Sequence, residues 1–493
     1  MRNWRIMFTI KNHILQISLG IFMVCIAYIK AEAQERNFRE TDEISYRLYT
    51  EQKWDSLIKF NREALKSGFD YYYLHARLGT AWFQKGNYRK SASSFEKAVQ
   101  LNSGDQYSLQ YLYWAYLYTG RNAEADRIAL QLTPEQRAEA KIRKPKFVES
   151  LNFETGPSFS DNLKVNDKDL LIGPGKIYGE KSLYDQSKYS HLGINLRLNN
   201  WMSLYQGFSN MDITFRKDIQ FNTFDSVNTL IDTSGFYHFR QNEYYARAEI
   251  CPGRGWTIIP AFHYISAKAE SFRFEFQWDT TWYWANPGFD TLQSLRYTYS
   301  YQYPKYKQNY SNYVLSLAVG KTLGIFNIQA YGSISDLNDL KQKILGISVS
   351  YDPFGNQRLY GFSGVSWFQS ETPAFEQYST NPVKATTSQF VFKQSLGIKV
   401  LPVLWIEANT SLGNMTNYSY NNGFIAYNIP DHIRGRDEIA ILGFPINHLM
   451  LSLMYIQYRK ESQTLQYTDA SNYVITNRKY KNQNIIGGIT WNF

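Results

Sequence analysis

The sequence predicts a two-part α plus transmembrane β protein: a short amino-terminal stack of helical repeats, then an antiparallel β-barrel of about fourteen strands, with twelve or sixteen as the alternatives. Three observations predict it. Apolar residues keep a helical spacing over residues 36–137 and repeat every 34 positions. From Phe147 the apolar period drops to two, so that alternate side chains face one way. The connections between those period-two segments then alternate between short and long. Composition agrees. Aromatic residues make up 17% of the chain while mean hydropathy is −0.44, and no long apolar run follows the first 33 residues, which excludes a helical membrane protein. Alternating strands give such an average because each turns only every second residue to lipid or core.

Residues 1–33 read as an export signal. Arg2, Arg5 and Lys11 precede an apolar run from Ile14 to Ile29, and Ala31-Glu32-Ala33 supplies the small residues of a cleavage site. The run is shorter than the roughly 20 residues of a membrane-spanning helix. Its removal would take Cys25, leaving Cys251 without a disulfide partner. It would also take Arg2, Arg5, Lys11 and Lys30 against Glu32, lowering the net charge of +10 by three. The remaining excess suits anionic glycans or lipid head groups, and the absence of a dense basic run excludes nucleic acid as a partner.

The repeat region, residues 36–137, places Trp82 and Tyr116, Gly86 and Gly120, Leu78 and Leu112, Ala64 and Ala98, and Trp54 and Tyr88 each 34 apart. That is the period of tetratricopeptide repeats, and LGTAWFQKGNYRKSASSFEKAV (78–99) sets its small and bulky residues where such a repeat packs helix on helix. Stacks of this kind present a concave face to a partner. Tyr111, Trp114 and Tyr118 are the aromatics predicted to bind one. Residues 138–146, with the basic stretch KIRKPK, read as a linker to a barrel over 147–493.

Fourteen strands are predicted, from LNFETG (151–156) to IIGGITWNF (485–493), with short turns such as Pro252 to Gly255 and Asp352 to Asn356 on one side. The long connections, among them 161–187, 217–236, 270–303, 417–436 and 461–482, gather on the other. That asymmetry is the mark of an outer-membrane barrel of a Gram-negative cell, with the repeats in the periplasm. The closing strand is expected to pair with the first near Leu151 to Gly156, leaving no edge in lipid.

A repeat stack ahead of such a barrel resembles the outer-membrane exporters of poly-N-acetylglucosamine, cellulose and similar exopolysaccharides, and, closer in size, the YaiO-type barrel family. The resemblance rests on LGTAWFQKGNY with its 34-residue echo and on the terminal ITWNF. It implies recognition of the last strand by the barrel-assembly machinery, a periplasmic protein partner for the repeats, and a glycan substrate.

Alternation assigns the lumen. With Leu192, Ile194 and Leu196 toward lipid, His191, Asn195 and Arg197 face inward; with Met211, Ile213 and Phe215 toward lipid, Asp212 and Arg216 face inward. Glu243, Arg247 and Glu249 from the next strand, and Lys393 and Glu407 further round, complete the predicted polar lining. Trp278, Trp282 and Trp284 are expected in a long loop that narrows the opening. His238 beside Glu243 is the best-placed general base for a lumenal hydrolase or a lipid A or glycan-modifying enzyme, but no paired metal or nucleophile motif accompanies it, so neither cofactor nor metal is expected. Three functions remain: a channel or secretion component for an envelope polysaccharide, a closed barrel anchoring an interaction scaffold, and the lumenal enzyme.

Overall fold

The computed structural model describes residues 38–142, 146–167, 172, 177–223, 229–284, 293–371, 385–429, 431–468 and 472–493; the predicted export signal lies outside them. Helices α1 (Phe38–Thr50), α2 (Trp54–Lys66), α3 (Tyr72–Gln84), α4 (Tyr88–Leu101), α5 (Gln106–Leu117), α6 (Asn122–Ala129) and α7 (Pro134–Glu139) come first. Barrel strands follow: β1 (Val148–Ser160), β2 (Tyr178–Asn199), β3 (Met202–Asn222), β4 (Leu230–Gly253), β5 (Trp256–Phe272), β6 (Lys305–Leu323) and β7 (Phe326–Ser335). The other half comprises β8 (Gln342–Tyr351), β9 (Leu359–Glu371), β10 (Thr386–Leu401), β11 (Leu404–Leu412), β12 (His432–Ile446), β13 (Leu449–Tyr467) and β14 (Tyr473–Asn492).

Among the described residues, 38–85 together with 94–105 form one compact unit; 86–93 together with those from 106 onward form a second. In the first, Leu57, Ile58, Leu78 and Ala81 cluster with Trp54 and Trp82 against them. Gly79 is where α3 and α4 approach: a Cβ there would sit 2.8 Å from the Phe95 ring. Ser45 and Tyr113, one 34-residue step to either side of Gly79, are also buried. In the second unit Thr133 and Gln136 form a capping box at the start of α7, a helix that runs two residues into the predicted linker.

The fourteen strands pair as antiparallel neighbours into a closed barrel, and β14 closes on β1 with Leu151 opposite Trp491 and Phe153 opposite Ile489. The number of strands and their closure are those expected. Closure matters because an open edge in hydrocarbon leaves several kcal/mol of unpaired backbone per group. Leu192, Phe208, Leu345, Phe392, Ile439 and Leu453 point outward, each more than half exposed. Such an apolar belt, drawn from strands all round the wall, is what a bilayer covers.

Strand length departs from expectation. Strands β2, β3 and β4 have 22, 21 and 24 residues, and β13 and β14 have 19 and 20. A tilted crossing needs only about 9–11, so these hairpins continue well past the bilayer on the long-loop side. Much of what reads as loop at 161–187, 217–236 and 461–482 is therefore ladder, with its own buried cluster of Ile219 and Phe221 beside Tyr178 and Ile231. The tips of β2 and β13 also pair directly, Lys181 to Tyr178 against Thr464 to Tyr467. The segment 270–303 likewise contains a hairpin, Glu275–Trp284 with Gln293–Gln302; the side chains of Trp278, Trp282 and Trp284 lie outside the described residues.

Within the second unit, the start of α4 and α6 meet the short turns. Arg89 forms a salt bridge with Asp352, and Asn356 donates to the Gly86 carbonyl at 2.9 Å. Glu124 accepts from the Gly255 backbone N–H at 3.0 Å and pairs with Arg121. Burial alone would raise the Glu124 carboxyl pKa; the Arg121 guanidinium and the Gly255 N–H hold it below the ordinary range.

Candidate functional site: the plugged lumen

Strand β11 ends at Leu412, and residues 413–429 turn inward, where the sequence predicts a long outer connection over 417–436. Their tip is a small hairpin, Ser419–Tyr420 with Ile425–Ala426. Asn421, Asn422 and Gly423 all take left-handed backbone, which asparagine and glycine tolerate best. The tip is fixed by its carbonyl groups. That of Asn422 accepts from Tyr245 Oη at 3.1 Å and Ser316 Oγ at 2.7 Å, and that of Gly423 accepts from His263 Nδ1 at 2.8 Å. The Phe424 ring packs edge-on against His191 and Tyr245, with centroids 5.2 and 5.1 Å apart.

The flanks of the segment are bound as firmly. Met415, Tyr418, Tyr427 and Ile429 are buried in one cluster with wall residues that include Ile213, Phe215, Phe368 and Val391. Tyr418 is fully buried and bonds Ser366 Oγ at 2.7 Å. Asn338 and Asn428, at 2.8 Å, and Asn428 and Asn312, at 3.1 Å, tie the returning chain to the wall. The segment is thus a plug, with an apolar middle and backbone acceptors at its tip. Between plug and wall remains a cavity of about 550 Å³, within the range of small-molecule sites. Tyr420, Phe424 and Tyr427 face it from the plug, and Glu154, Lys393, Arg436, Glu438 and Lys460 face it from the wall.

The predicted lining residues divide. Asn195 and Arg197 bond Glu149, the first at 2.6 Å, and both face inward near the short-turn rim, where Arg197 also reaches Asp126 of α6 at 3.2 Å. Glu243 faces inward with its carboxylate 3.3 Å from His263 Nε2. Arg247 stacks over the Tyr205 ring at 5.7 Å, Glu249 shares that inward face, and Lys393 lies 3.9 Å from the Tyr420 ring centroid. Glu407 accepts from Tyr360 Oη.

Asp212 and Arg216 are corrections. Met211, Ile213 and Phe215 point into the lumen, so Asp212 faces out to His238 and Arg240, and Arg216 faces out to Asp167 and Asp218. Apolarity misassigned the face because the plug makes the lumen greasy at this height, while the outer side carries polar rows such as Asn210 with Asn242. The same parity separates His238, outward, from Glu243, inward, and removes the predicted acid–base pair. Of the predicted partner-binding aromatics, Trp114 and Tyr118 stack at 5.7 Å, and Tyr107 and Tyr111 meet at 4.7 Å on the same side of α5. Tyr113 and Tyr116 take the buried side. Among the described residues no cluster of metal-ligating side chains occurs.

The plug itself escaped the sequence reading. Its signal was NMTNYSYNNGFIAYNI (414–429), an aromatic and apolar density too high for a water-exposed loop, with NNG marking its turn.

Fold and site together define a closed fourteen-stranded barrel with an inward plug and a lumenal cavity beside it. No protein-family model matches the chain, and no curated protein does. Among solved structures it is similar to a Pseudomonas aeruginosa FadL homologue at TM-score 0.39 and 8% identity, over 70% of this chain and 90% of that one. The P. putida toluene transporter TodX gives TM-score 0.40 and 8% identity, over 74% and 94%. A structure titled MamA MSR-1 gives TM-score 0.19 and 18% identity over 22% of this chain and 60% of that one, so the chain spans about three fifths of its length. Likeness this slight lends this chain no substrate; the barrel rests on its own strand pairing.

Proposed function

We propose that the protein is a gated channel of the Gram-negative outer membrane for a small saccharide of the cell envelope, closed at rest by residues 413–429. In this reading the helices are tetratricopeptide-type repeats in the periplasm that recruit a protein partner, and β14 is the strand offered to the barrel-assembly machinery. The observation that carries it is the plug. A barrel that only anchors needs no inward segment, whereas a plug that is not itself part of the strand ladder can leave without breaking the barrel. A 550 Å³ cavity holds a sugar unit or two and not a polymer strand, which favours stepwise passage of short saccharides over bulk polysaccharide export. Tyrosine rings and amide or carboxylate side chains suit a sugar's apolar faces and hydroxyls. Planar-bilayer recording tests the reading. The wild-type protein is expected to be silent, and replacement of residues 416–429 by a short Gly-Ser linker to give a steady conductance; silence in both would overturn it.

A second reading, a membrane-anchored interaction scaffold, is favoured by the buried contacts at the short-turn rim. Arg89, Glu124 and Arg197 fix helix ends to the barrel as a scaffold requires. It gains if the linker variant stays silent.

A further inference from the structure

The charged groups of the lumenal cavity are arranged unevenly along the barrel axis. Arg436 lies one inward step nearer the long-loop end of β12 than Glu438, with which it forms a salt bridge, and Asn409 also bonds Glu438 at 2.8 Å. Lys460 lies further toward that end on β13, opposite Tyr480, while Ile456 opposite Asn484 is level with Glu438. Glu154 of β1 pairs with Gly488 of β14, nearer the short turns. Cations therefore occupy the end of the cavity toward the long loops, and the carboxylates Glu438 and Glu154 the other.

Two of those cations form no salt bridge, although the buried Asp431 carboxylate lies near enough to Lys460 to act on it. Among the described residues neither Lys393 nor Lys460 has a carboxylate within ion-pair distance. Lys393 rests over the rings of Tyr420 and Tyr418 at 3.9 and 5.0 Å, and Lys460 over Tyr184 and Tyr458 at 4.5 and 5.3 Å. Both line the same cavity, and Lys460 is buried. Ammonium groups that rest on ring faces without a salt bridge remain short of hydrogen-bond acceptors. Among buried polar atoms on lining residues, Arg436 Nε and Asn484 Oδ1 have no hydrogen-bond partner, and the hydroxyls of Tyr420 and Tyr427 have none beyond each other. Arg436 Nε and the free hydroxyl proton of the tyrosine pair donate, while Asn484 Oδ1 accepts. Such cations and donors, gathered round one cavity, call for an acceptor that carries negative charge.

We infer that the cavity is a binding site for a hydroxylated organic anion, a sugar bearing a carboxylate or a phosphate. Its acidic group lies toward Lys393 and Lys460, its ring against Tyr420 or Tyr427, and its hydroxyls donate toward Glu154 and Glu438. The carboxylate end of the cavity disfavours a second negative charge there, so a singly acidic sugar fits better than a polyanion. This deepens the channel reading and rests on it only for transport, since binding can be measured on the closed barrel.

The test is equilibrium binding by calorimetry to the full-length protein in detergent. The probes are a disaccharide containing one glucuronate, the matching neutral glucose disaccharide, glucose 6-phosphate and inorganic phosphate. The acidic disaccharide is expected to bind at least tenfold more tightly than the neutral one, and the double substitution K393Q/K460Q to abolish that preference. K393R/K460R, which keeps both charges and guards against a folding artefact, is expected to retain it. Glucose 6-phosphate binding in place of glucuronate would assign the phosphate form, and inorganic phosphate competing with either would place its site at the lysines. Equal binding of acidic and neutral sugars, no binding of any probe, or a preference that survives K393Q/K460Q in a normally folded barrel would overturn the inference. Failure of the linker variant to conduct would leave that result standing and remove only the channel.

Discussion

Truncation of Tyr418 to alanine is expected to loosen the plug and give a barrel that opens intermittently. Tyr418 is fully buried between plug and wall, packs edge-on against Phe368 at 5.3 Å and bonds Ser366. Removing a buried aromatic ring costs about 3–5 kcal/mol, and here most of that cost falls on the attachment of residues 413–429, because the strands keep their ladders. An equilibrium against the released plug then shifts by two to three powers of ten, by the rule of about 1.4 kcal/mol per tenfold. Brief openings in planar bilayers, with heat resistance of the barrel unchanged, are the expected pair of results. A silent Y418A barrel with wild-type behaviour would mean that the plug is fixed by its tip alone.

Replacing Arg197 by alanine is expected to free α6 from the short-turn rim. Arg197 is largely buried and serves Glu149 and Asp126 together. Burial already pushes the Asp126 carboxyl above its ordinary range against the pull of Arg197, so removal of the guanidinium leaves two half-buried carboxylates without their cation. Breaking such a pair from one side costs about 3–5 kcal/mol. Hydrogen–deuterium exchange of the amides in Asn122–Ala129 should accelerate by at least tenfold, with strand amides unchanged. Lysine at this position keeps the charge but not the two-pronged geometry, and should restore protection only in part. Unchanged exchange in R197A would assign α6 to the barrel through Glu124 and through Arg127, which donates to the Pro252 carbonyl at 3.0 Å, alone.

The barrel was legible in the sequence because lipid imposes a period. Leu192, Ile194 and Leu196 on β2 alternate with His191, Asn195 and Arg197, and the hydrogen bonds of Asn195 and Arg197 fall on the inward side as alternation requires. Legibility ends where the bilayer ends. On β3 the same rule read Met211, Ile213 and Phe215 as lipid-facing, although their solvent is the plug and the side toward Asp212 and Arg216 meets water. A period of two gives two faces but not which of them is inside. Only the neighbouring strand settles that: Ser209 pairs laterally with His191, whose side was already known, and parity from there places Met211 inward. The plug was harder still, because a segment that folds back into a lumen has neither period nor partner strand. Only its aromatic density set it apart from the loops around it. Lys460 offers less, since nothing local distinguishes a buried lysine in RKES from a surface one.

The central claim is that conduction requires residues 413–429 to leave the lumen, and a reversible tether tests it. A Cβ built on Gly423 would lie 3.7 Å from Ser316 Cβ, close to the mean spacing across a disulfide. The left-handed backbone at Gly423 makes a side chain there costly by about 1–2 kcal/mol, which the covalent bond outweighs. Cysteines at positions 316 and 423, in a Y418A barrel with Cys251 replaced by serine, should cross-link on oxidation. The predicted recording is loss of the Y418A openings on oxidation and their return on reduction. Openings that persist in the cross-linked protein would contradict the account, because ions would then be passing a plug that cannot move.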